Sequence, residues 1–285
     1  TNGGSLGTQP VVTLQDQYSN ISLSSESVTA TVGAGNWRLG GTLTVSADNG
    51  TATFSGLTAS SSSTVTGATI TFSSTGLIGT TSNTFNIPAP LGWQITAANT
   101  LFTVDFDNTI DGVNNGQFKG TGFQTSPSAG QMNSNAWAFT GWSNGDLSFG
   151  GTQTTSSTDY TRGESAGGVT TGGIYAFTVS TGNNSLGFQP TTADWTPGNV
   201  TLRLRNYTGA TVTSLLVSYK IYIKNDQSGS NSFNFSHSND DVTYTNASSM
   251  DLTSPQTADG NPVSWKTYIR VIELKDISIT ENSYY

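Results

Sequence analysis

The amino-acid sequence predicts an all-β protein, on three observations. Apolar residues recur at every second position in short runs, which is the period of a half-buried strand. Stretches rich in Gly, Asn, Asp and Ser separate these runs at intervals of about ten residues, the spacing of strands and turns in a sandwich. No stretch combines helical periodicity with capping residues. The 285 residues are enough for one large domain or two modest ones.

The first strand candidates predict a β-sandwich over residues 1–90. Their apolar residues alternate with Ser and Thr, which favour strands. The clearest runs contain Val28, Ala30 and Val32, then Ala52 and Phe54, then Ile70 and Phe72. Asp48-Asn49-Gly50 lies between two runs and predicts a hairpin turn, because Asn and Gly tolerate a positive φ. Trp37 is predicted to fill the core or one end of this sandwich.

A second segment follows a proline-rich boundary. Pro88-Ala89-Pro90 predicts a stiff, extended connector. Residues 91–99 are predicted as a linker, and the alternative for this stretch is a first strand of the next module. From Leu101 to Asp107 the sequence alternates strongly, which predicts the first strand of the next module. The further strands are predicted at Ala136–Phe139, Gly173–Val179, Val200–Arg205, Leu215–Lys224, Ser232–Ser236, Val242–Thr245 and Thr267–Leu274. About eight strands with long loops predict a jelly-roll β-sandwich over residues 100–285.

Composition narrows the class of protein and its partners. Charged residues make up 10% of the chain, against about 25% in ordinary soluble domains, while 10% aromatic residues are too many for a disordered chain. The net charge of −8 leaves no basic stripe that could neutralise phosphates, so nucleic acid is excluded as a partner. Neutral sugars and cations remain compatible with this charge.

Cysteine content and hydropathy add two exclusions. The chain has no cysteine, which excludes a disulfide framework and a thiolate metal site. No apolar run approaches 20 residues, so we predict no membrane span. The chain begins at Thr1 without a signal peptide, and we expect it to be a mature or excised piece of a longer protein.

No catalytic motif occurs in the sequence context that it requires, and we predict that the chain is not an enzyme. His237 is the only histidine. Gly163-Glu164-Ser165-Ala166-Gly167 matches the pattern Gly-x-Ser-x-Gly, but no predicted helix follows it, as a nucleophile elbow requires. The glycine-rich stretch 167–173 lacks the Lys-Ser/Thr pair and the helix of a phosphate loop, so it predicts turns. Glu164 is predicted to pair with Arg162 and fix a loop rather than to act as an acid.

Carboxylates in the second segment predict a possible calcium site. Hard cations take carboxylate, amide and backbone oxygens, and Asp105 and Asp107 would share one face of the predicted first strand. Asp226 follows another predicted strand, in an oxygen-rich turn. The alternative is that these residues only form turns, which Asn and Asp favour. None of them follows the spacing of an EF-hand loop.

Aromatic residues supply candidates for sugar binding. Trp195 occurs in the turn-like stretch Thr192–Gly198 and is the tryptophan that we expect to be most accessible to a pyranose ring. Tyr160 is a second candidate for stacking. The alternative for both is a place in the core, where most aromatic residues of a sandwich lie.

Two stretches of the chain resemble known modules of secreted bacterial proteins. The run Pro10–Asn20 and the closing run Ser82–Pro90 resemble the immunoglobulin-like stalk repeats of large surface adhesins. The runs Gly141–Gly150, Thr161–Phe177, Leu186–Pro190, Leu216–Asp226 and Asn231–Ser238 together resemble a jelly-roll module of secreted multidomain Bacteroidetes proteins, many of which leave the cell by type IX secretion.

The resemblance implies a function in attachment. It implies a secreted or cell-surface location and a non-enzymatic role in display and adhesion, with surface glycans, other surface proteins and neighbouring domains of a longer chain as partners. An alternative is a carbohydrate-binding accessory module of a secreted hydrolase. The resembling module also has one more strand after the position of Tyr285, so we expect the strand at Leu101–Asp107 to be left as an open edge or to be covered by a strand from elsewhere.

Overall fold

The computed structural model describes residues 4–61, 64–88 and 92–285 and confirms the all-β fold class. The described residues contain a single short helix, the 3-10 turn η1 at Ser248–Met250. The chain divides into two compact units, unit 1 at Thr1–Leu91 and unit 2 at Gly92–Tyr285. Ala89, Pro90 and Leu91, on which the predicted proline connector depends, lie outside the described residues.

Unit 1 consists of short, mostly antiparallel strands. They are β1 (Val11–Thr13), β2 (Ser27–Val32), β3 (Arg38–Gly40), β4 (Thr44–Ser46), β5 (Thr51–Thr53), β6 (Thr58–Ser60), β7 (Val65–Ala68), β8 (Ile70–Ser73), β9 (Thr80–Thr81) and β10 (Phe85–Ile87). The largest sheet has four strands in the order β4-β2-β8-β9. The other strands pair as β1 with β5, β3 with β6 and β7 with β10.

The core of unit 1 follows the alternation in the sequence. Val28 and Ala30 of β2 are buried, and so are Ile70 and Phe72 of β8, with which β2 pairs. Trp37 is buried as predicted and packs edge-to-face on Phe85, with ring centroids 5.4 Å apart. Its indole N–H donates to the carbonyl of Ala34 at 2.8 Å, so this large side chain leaves no unpaired donor.

The predicted hairpin at Asp48-Asn49-Gly50 is wrong in its pairing. The turn itself forms, with positive φ at Asn49 (48°) and Gly50 (81°), and the Thr51 N–H donates to the Asp48 carbonyl at 3.0 Å. However, β4 pairs with β2 and β5 pairs with β1, so the turn carries the chain from one sheet to another. Turn residues specify a reversal of the chain but not the strand on which it then pairs.

Unit 2 contains longer strands and wider loops. They are β11 (Trp93–Ile95), β12 (Asn114–Asn115), β13 (Phe123–Gln124), β14 (Gln131–Asn133), β15 (Trp137–Thr140), β16 (Glu164–Ser165), β17 (Gly173–Ser180), β18 (Asn183–Gln189), β19 (Asn199–Leu202), β20 (Leu204–Asn206), β21 (Leu215–Ile223), β22 (Ser232–Phe233), β23 (Ser236–His237), β24 (Thr245–Asn246), β25 (Leu252–Thr253) and β26 (Lys266–Leu274). The sheets are β16-β17-β18, β12-β14-β13, β15-β19, β11-β20, β21-β26, β22-β25 and β23-β24.

An aromatic cluster forms the core of unit 2. Phe139 of β15 lies at its centre, with ring centroids 4.8 Å from Phe123 and 6.0 Å from Tyr160. Phe118 and Trp142 are buried beside them. The long β21-β26 pair contributes nothing to this cluster, and its Leu216, Ile269 and Val271 are exposed.

The structure differs from the sequence-based prediction at the start of unit 2. Trp93–Ile95 fall in the predicted linker, yet they form β11, which pairs in parallel with Leu204–Asn206 of β20. Gln94 and Ile95 are buried there, so this stretch belongs to the fold of unit 2. Leu101–Asp107, predicted as the first strand, is not a strand, because no neighbouring strand pairs with it.

Candidate binding cleft

The described residues of unit 2 form a wide cleft. Its volume is about 2900 Å³, several times the roughly 300–1,000 Å³ of a pocket that encloses a small ligand. It is lined by β15, β18, β19, β21, β22, β23 and the residues from Ala97 to Asp107. A cleft of this size suits a polymer, such as a polypeptide or a glycan, better than a small molecule.

Apolar side chains line much of the cleft. Leu186 and Phe188 of β18, with Val200 and Leu202 of β19, pack partly on the aromatic core and remain half-buried. Half-buried apolar residues of β21 also line the cleft, and Tyr219 among them donates its hydroxyl to the Met250 carbonyl at 3.2 Å. The lining therefore offers apolar surface that an occupant could remove from water.

The segment Leu101–Asp105, which we call the edge segment, lies along this cleft. Phe102 and Val104 are half-buried, whereas Leu101, Thr103 and Asp105 are exposed, so the side chains alternate as in a strand. The Phe102 ring packs edge-to-face on Trp93 at 6.4 Å, and Val104 packs on the aromatic core. Among the described residues, no hydrogen bond reaches the backbone N–H or C=O groups of the edge segment.

Several strands that line the cleft also have an unpaired edge. β18 is the outer strand of the sheet β16-β17-β18, β19 pairs only with β15, and β21 pairs only with β26. In an antiparallel pair each strand uses the hydrogen-bonding groups of one edge. The cleft therefore combines apolar side chains with unpaired strand edges, the two features that accept an additional strand.

The charged residues of the lining are predominantly acidic. The basic ones are Arg203, Lys220 and Lys224. Two of these are engaged, since Arg203 donates to the Asn135 carbonyl at 2.8 Å and Lys224 donates to the Ala166 carbonyl at 2.8 Å. The acidic residues of the lining are Asp105, Asp107, Asp146, Asp226, Asp240, Asp241 and Glu273.

The structure gives Asp105 a turn-forming role. One carboxylate oxygen accepts the N–H groups of Asp107 (3.0 Å) and Asn108 (3.1 Å), and the other accepts the Asn108 side-chain amide at 2.7 Å. Burial opposes ionisation, but these hydrogen bonds outweigh it and hold the pKa of Asp105 below its usual range. Phe106 has a positive φ of 61°, so Asp105 and Asp107 do not follow one another along one strand face as predicted.

The other predicted calcium ligands are arranged differently. Asp107 accepts the Asn184 backbone N–H at 2.8 Å and the Gln117 side-chain amide at 3.0 Å, which ties the end of the edge segment to β18. Asp226 is exposed after β21. Within the ranges that the structure describes, no group of three or more His, Asp or Glu side chains is arranged to hold a metal ion. Calcium binding at these residues stays a prediction.

Tyr160 is placed where it cannot stack on a sugar. Its side chain is fully buried in the aromatic core, and its hydroxyl donates to the Gly145 carbonyl at 2.8 Å. Burial, and then the charges of Asp146 and Asp159, raise the pKa of this phenol. The prediction that Tyr160 binds a ligand by stacking is therefore wrong, because the ring has no face open to solvent.

Trp195 lies at the edge of the cleft but is engaged by its neighbours. Its ring stacks on Trp142 with an interplanar angle of 7° and contacts Phe188 with centroids 4.2 Å apart. The side chain is half-buried and its indole nitrogen is buried. Trp195 therefore completes the wall of the cleft, and only part of the ring remains for a ligand.

The remaining catalytic candidates have structural partners. The His237 Nδ1 lies 2.5 Å from the Tyr285 hydroxyl, next to the Phe235 ring. Glu164 does not pair with Arg162 as predicted. It accepts hydrogen bonds from Lys119 at 2.9 Å and from the Asn184 side chain at 3.0 Å, and these hydrogen bonds hold its pKa below the usual range. The glycine-rich stretch 167–173 joins β16 to β17 and opens no helix, as predicted.

Sequence reasoning missed a buried carboxylate network beside the cleft. Asp159 is almost fully buried. It accepts hydrogen bonds from the Ser143 hydroxyl (3.1 Å) and the Asn144 N–H (2.8 Å), and it forms an ion pair with Arg162 (2.8 Å). Asp194 is also buried and accepts the Ser143 N–H at 3.0 Å. Nothing local in the sequence separates these aspartates from the many that form turns.

Comparison with known proteins adds no functional assignment. No protein-family model matches the chain, and no curated protein or solved structure matches it either. Among the described residues, no helix has the length and apolar character needed to cross a membrane.

Proposed function

We propose that this chain is a non-enzymatic fragment of a secreted or cell-surface protein that displays a binding surface and attaches to surface glycans or other surface proteins. The finer architecture that goes with this proposal is an immunoglobulin-like spacer in unit 1 and a jelly-roll module in unit 2. The observation that supports it best is the wide apolar cleft, with unpaired strand edges along its lining.

The environment of the candidate catalytic groups also favours binding over catalysis. A general acid or base needs a pKa tuned towards the working pH and a reachable substrate. Glu164 has a lowered pKa and two hydrogen-bonding partners, and Asp159 and Asp194 are buried and hydrogen-bonded. These groups are arranged as structural anchors for loops.

An attachment assay tests the proposal. Beads coated with the complete chain are applied to a glycan array and to arrayed surface proteins, and soluble products are assayed in parallel. Saturable attachment without product formation is the expected result. Release of sugars, peptides or nucleotides in proportion to the amount of chain would refute the non-enzymatic assignment.

One variant distinguishes the adhesion proposal from the alternative, a carbohydrate-binding module of a secreted hydrolase. Trp195→Ala removes the exposed aromatic edge of the cleft, and Trp37→Phe serves as a matched control at a buried tryptophan of unit 1. If Trp195→Ala alone abolishes glycan attachment while the chain stays folded, the carbohydrate-binding alternative is favoured. Attachment to proteins that survives in both variants supports the adhesion proposal.

A further inference from the structure

The edge segment lacks the backbone partners that its conformation calls for. Its side chains alternate between half-buried and exposed, as in an extended strand, and the described residues form no hydrogen bond with its backbone N–H and C=O groups. Water can satisfy these groups, but a strand laid beside them would satisfy them as well and would bury apolar surface at the same time.

We propose that the cleft binds one extended strand of a partner polypeptide, which pairs with the edge segment and carries apolar side chains at every second position, with neutral or basic residues between them. This inference rests on the proposed function, because it names the kind of protein to which the chain attaches. A strand can form hydrogen bonds with the unpaired backbone of the edge segment and can also pack its alternate side chains on the half-buried apolar residues of the cleft.

The apolar positions of the partner follow from the lining of the cleft. Phe102 and Val104 present half-buried side chains at every second residue of the edge segment, and Leu186 and Phe188 do the same on β18. A strand between or beside these elements would place its own alternate side chains against them. Its other side chains would be directed away from the apolar lining.

The charge of the cleft indicates whether its occupant is a different protein or a second copy of this chain. Carboxylates outnumber basic side chains along the lining, and the chain as a whole carries a net charge of −8. A second copy would bring further negative charge into an acidic cleft, where like charges oppose association. Neutral or basic residues on the incoming strand complement the cleft, so the occupant is a different polypeptide.

The test uses the complete chain and hydrogen exchange at the edge segment. The probe is a short capped peptide in which Val alternates with Lys and Thr. A matched peptide has Glu in place of Lys, and a third has N-methyl groups at alternate backbone nitrogens, which removes hydrogen-bond donors. The Lys peptide is expected to slow exchange at Phe102–Asp105 by about tenfold or more, as a backbone pairing of modest affinity would.

Two protein variants make the result specific to backbone pairing. Thr103→Pro deletes an N–H that makes no hydrogen bond in the free chain, at an exposed side chain, so the fold is expected to survive. Thr103→Ala is the control, because it shortens the same side chain and keeps the N–H. Peptide binding is expected to weaken about tenfold in Thr103→Pro and to stay within about twofold in Thr103→Ala.

Each result supports or overturns the inference. Protection that needs the Lys peptide and is lost with the N-methyl peptide and with Thr103→Pro supports it. Equal binding of the Glu peptide, protection that rises with the concentration of the chain alone, slow exchange already in the free chain, or no protection by any peptide overturns it. A chain that binds the peptide but attaches to no surface refutes only the proposed function. A chain that attaches while these amides stay unprotected refutes only the strand inference.

Discussion

Replacing Asp159 by Asn tests whether the buried carboxylate network holds the loops that wall the cleft. The Asp159 side chain is 1% exposed, and its two oxygens accept hydrogen bonds from Ser143, Asn144 and Arg162. Asn keeps the size of the side chain but removes the charge and turns one acceptor into a donor. Arg162 then loses its ion pair. The new amide group also faces existing donors, either Arg162 or Ser143 together with Asn144, depending on its orientation.

The expected loss of stability is about 3 kcal/mol. Breaking a buried ion pair by removing one partner costs about 3–5 kcal/mol, and the lower end applies because the Arg162 side chain is 19% exposed and can be partly rehydrated. In a unit of this size, 1 kcal/mol corresponds to a shift of about 2–4 °C, so the melting temperature should fall by about 6–12 °C. Tryptophan fluorescence can follow the unfolding of unit 2, because five of the six tryptophans lie in that unit and only Trp37 lies in unit 1.

An exposed ion pair of unit 2, between Lys119 and Glu164, supplies the control. Lys119 and Glu164 are 44% and 43% exposed, and Glu164→Gln keeps the oxygen that accepts from Asn184. This change is expected to cost less than about 0.5 kcal/mol, as surface ion pairs usually do. Equal melting temperatures for Asp159→Asn and Glu164→Gln would refute the reasoning, because they would show that the network around Asp159 contributes no more than a surface pair.

Three further predictions concern stability, the start of unit 2 and calcium. Because the pKa of Tyr160 is raised, the native state keeps a proton that the unfolded chain releases near pH 10. The free energy of unfolding should therefore fall as the pH rises above about 10. Urea titrations should show a smaller fall for Tyr160→Phe. Ile95→Ala should destabilise unit 2 by about 2–3 kcal/mol, whereas Ala97→Ser should be neutral; equal effects in thermal melts would restore the linker prediction. Calcium bound at Asp105, Asp107 and Asp226 should raise the melting temperature in millimolar calcium above that in chelator, because it binds the native state, and Asp107→Asn should lose that rise. Coincident melts would remove these three residues as calcium ligands.

The strands that could be predicted best from sequence are long runs rich in β-branched and aromatic residues. The two longest in unit 2 were predicted at Leu215–Lys224 and Thr267–Leu274 and are observed at Leu215–Ile223 and Lys266–Leu274. In these strands one face packs while the other meets solvent, but Leu216, Ile269 and Val271 are apolar on the exposed face, so the sequence indicates a strand without separating its two faces. The partner of each strand could not be predicted in this way, because β21 pairs with β26, whose residues are far away in the sequence.

The candidate site shows the same limit more sharply. Leu101–Asp105 has the alternation of a strand and the expected burial of Phe102 and Val104, but the structure leaves it unpaired. Trp195 occurs in turn-like sequence and Tyr160 is the second predicted stacking residue, yet Trp195 packs on Trp142 and Tyr160 packs on Phe139. Local sequence therefore indicates which side chains are apolar and extended, and tertiary contacts decide which of them remain available.

The short length of the edge segment is itself informative about its use. Long, flat, unpaired edges promote uncontrolled association, and proteins limit them with bends and charges. Here the positive φ of Phe106 ends the extended run, and Asp105 and Asp107 carry negative charge at that end. Five residues span about 17 Å, enough to pair with one short strand but too little to template a growing sheet. An edge limited in this way is open to one partner strand and protected against repeated addition, as a specific attachment site requires.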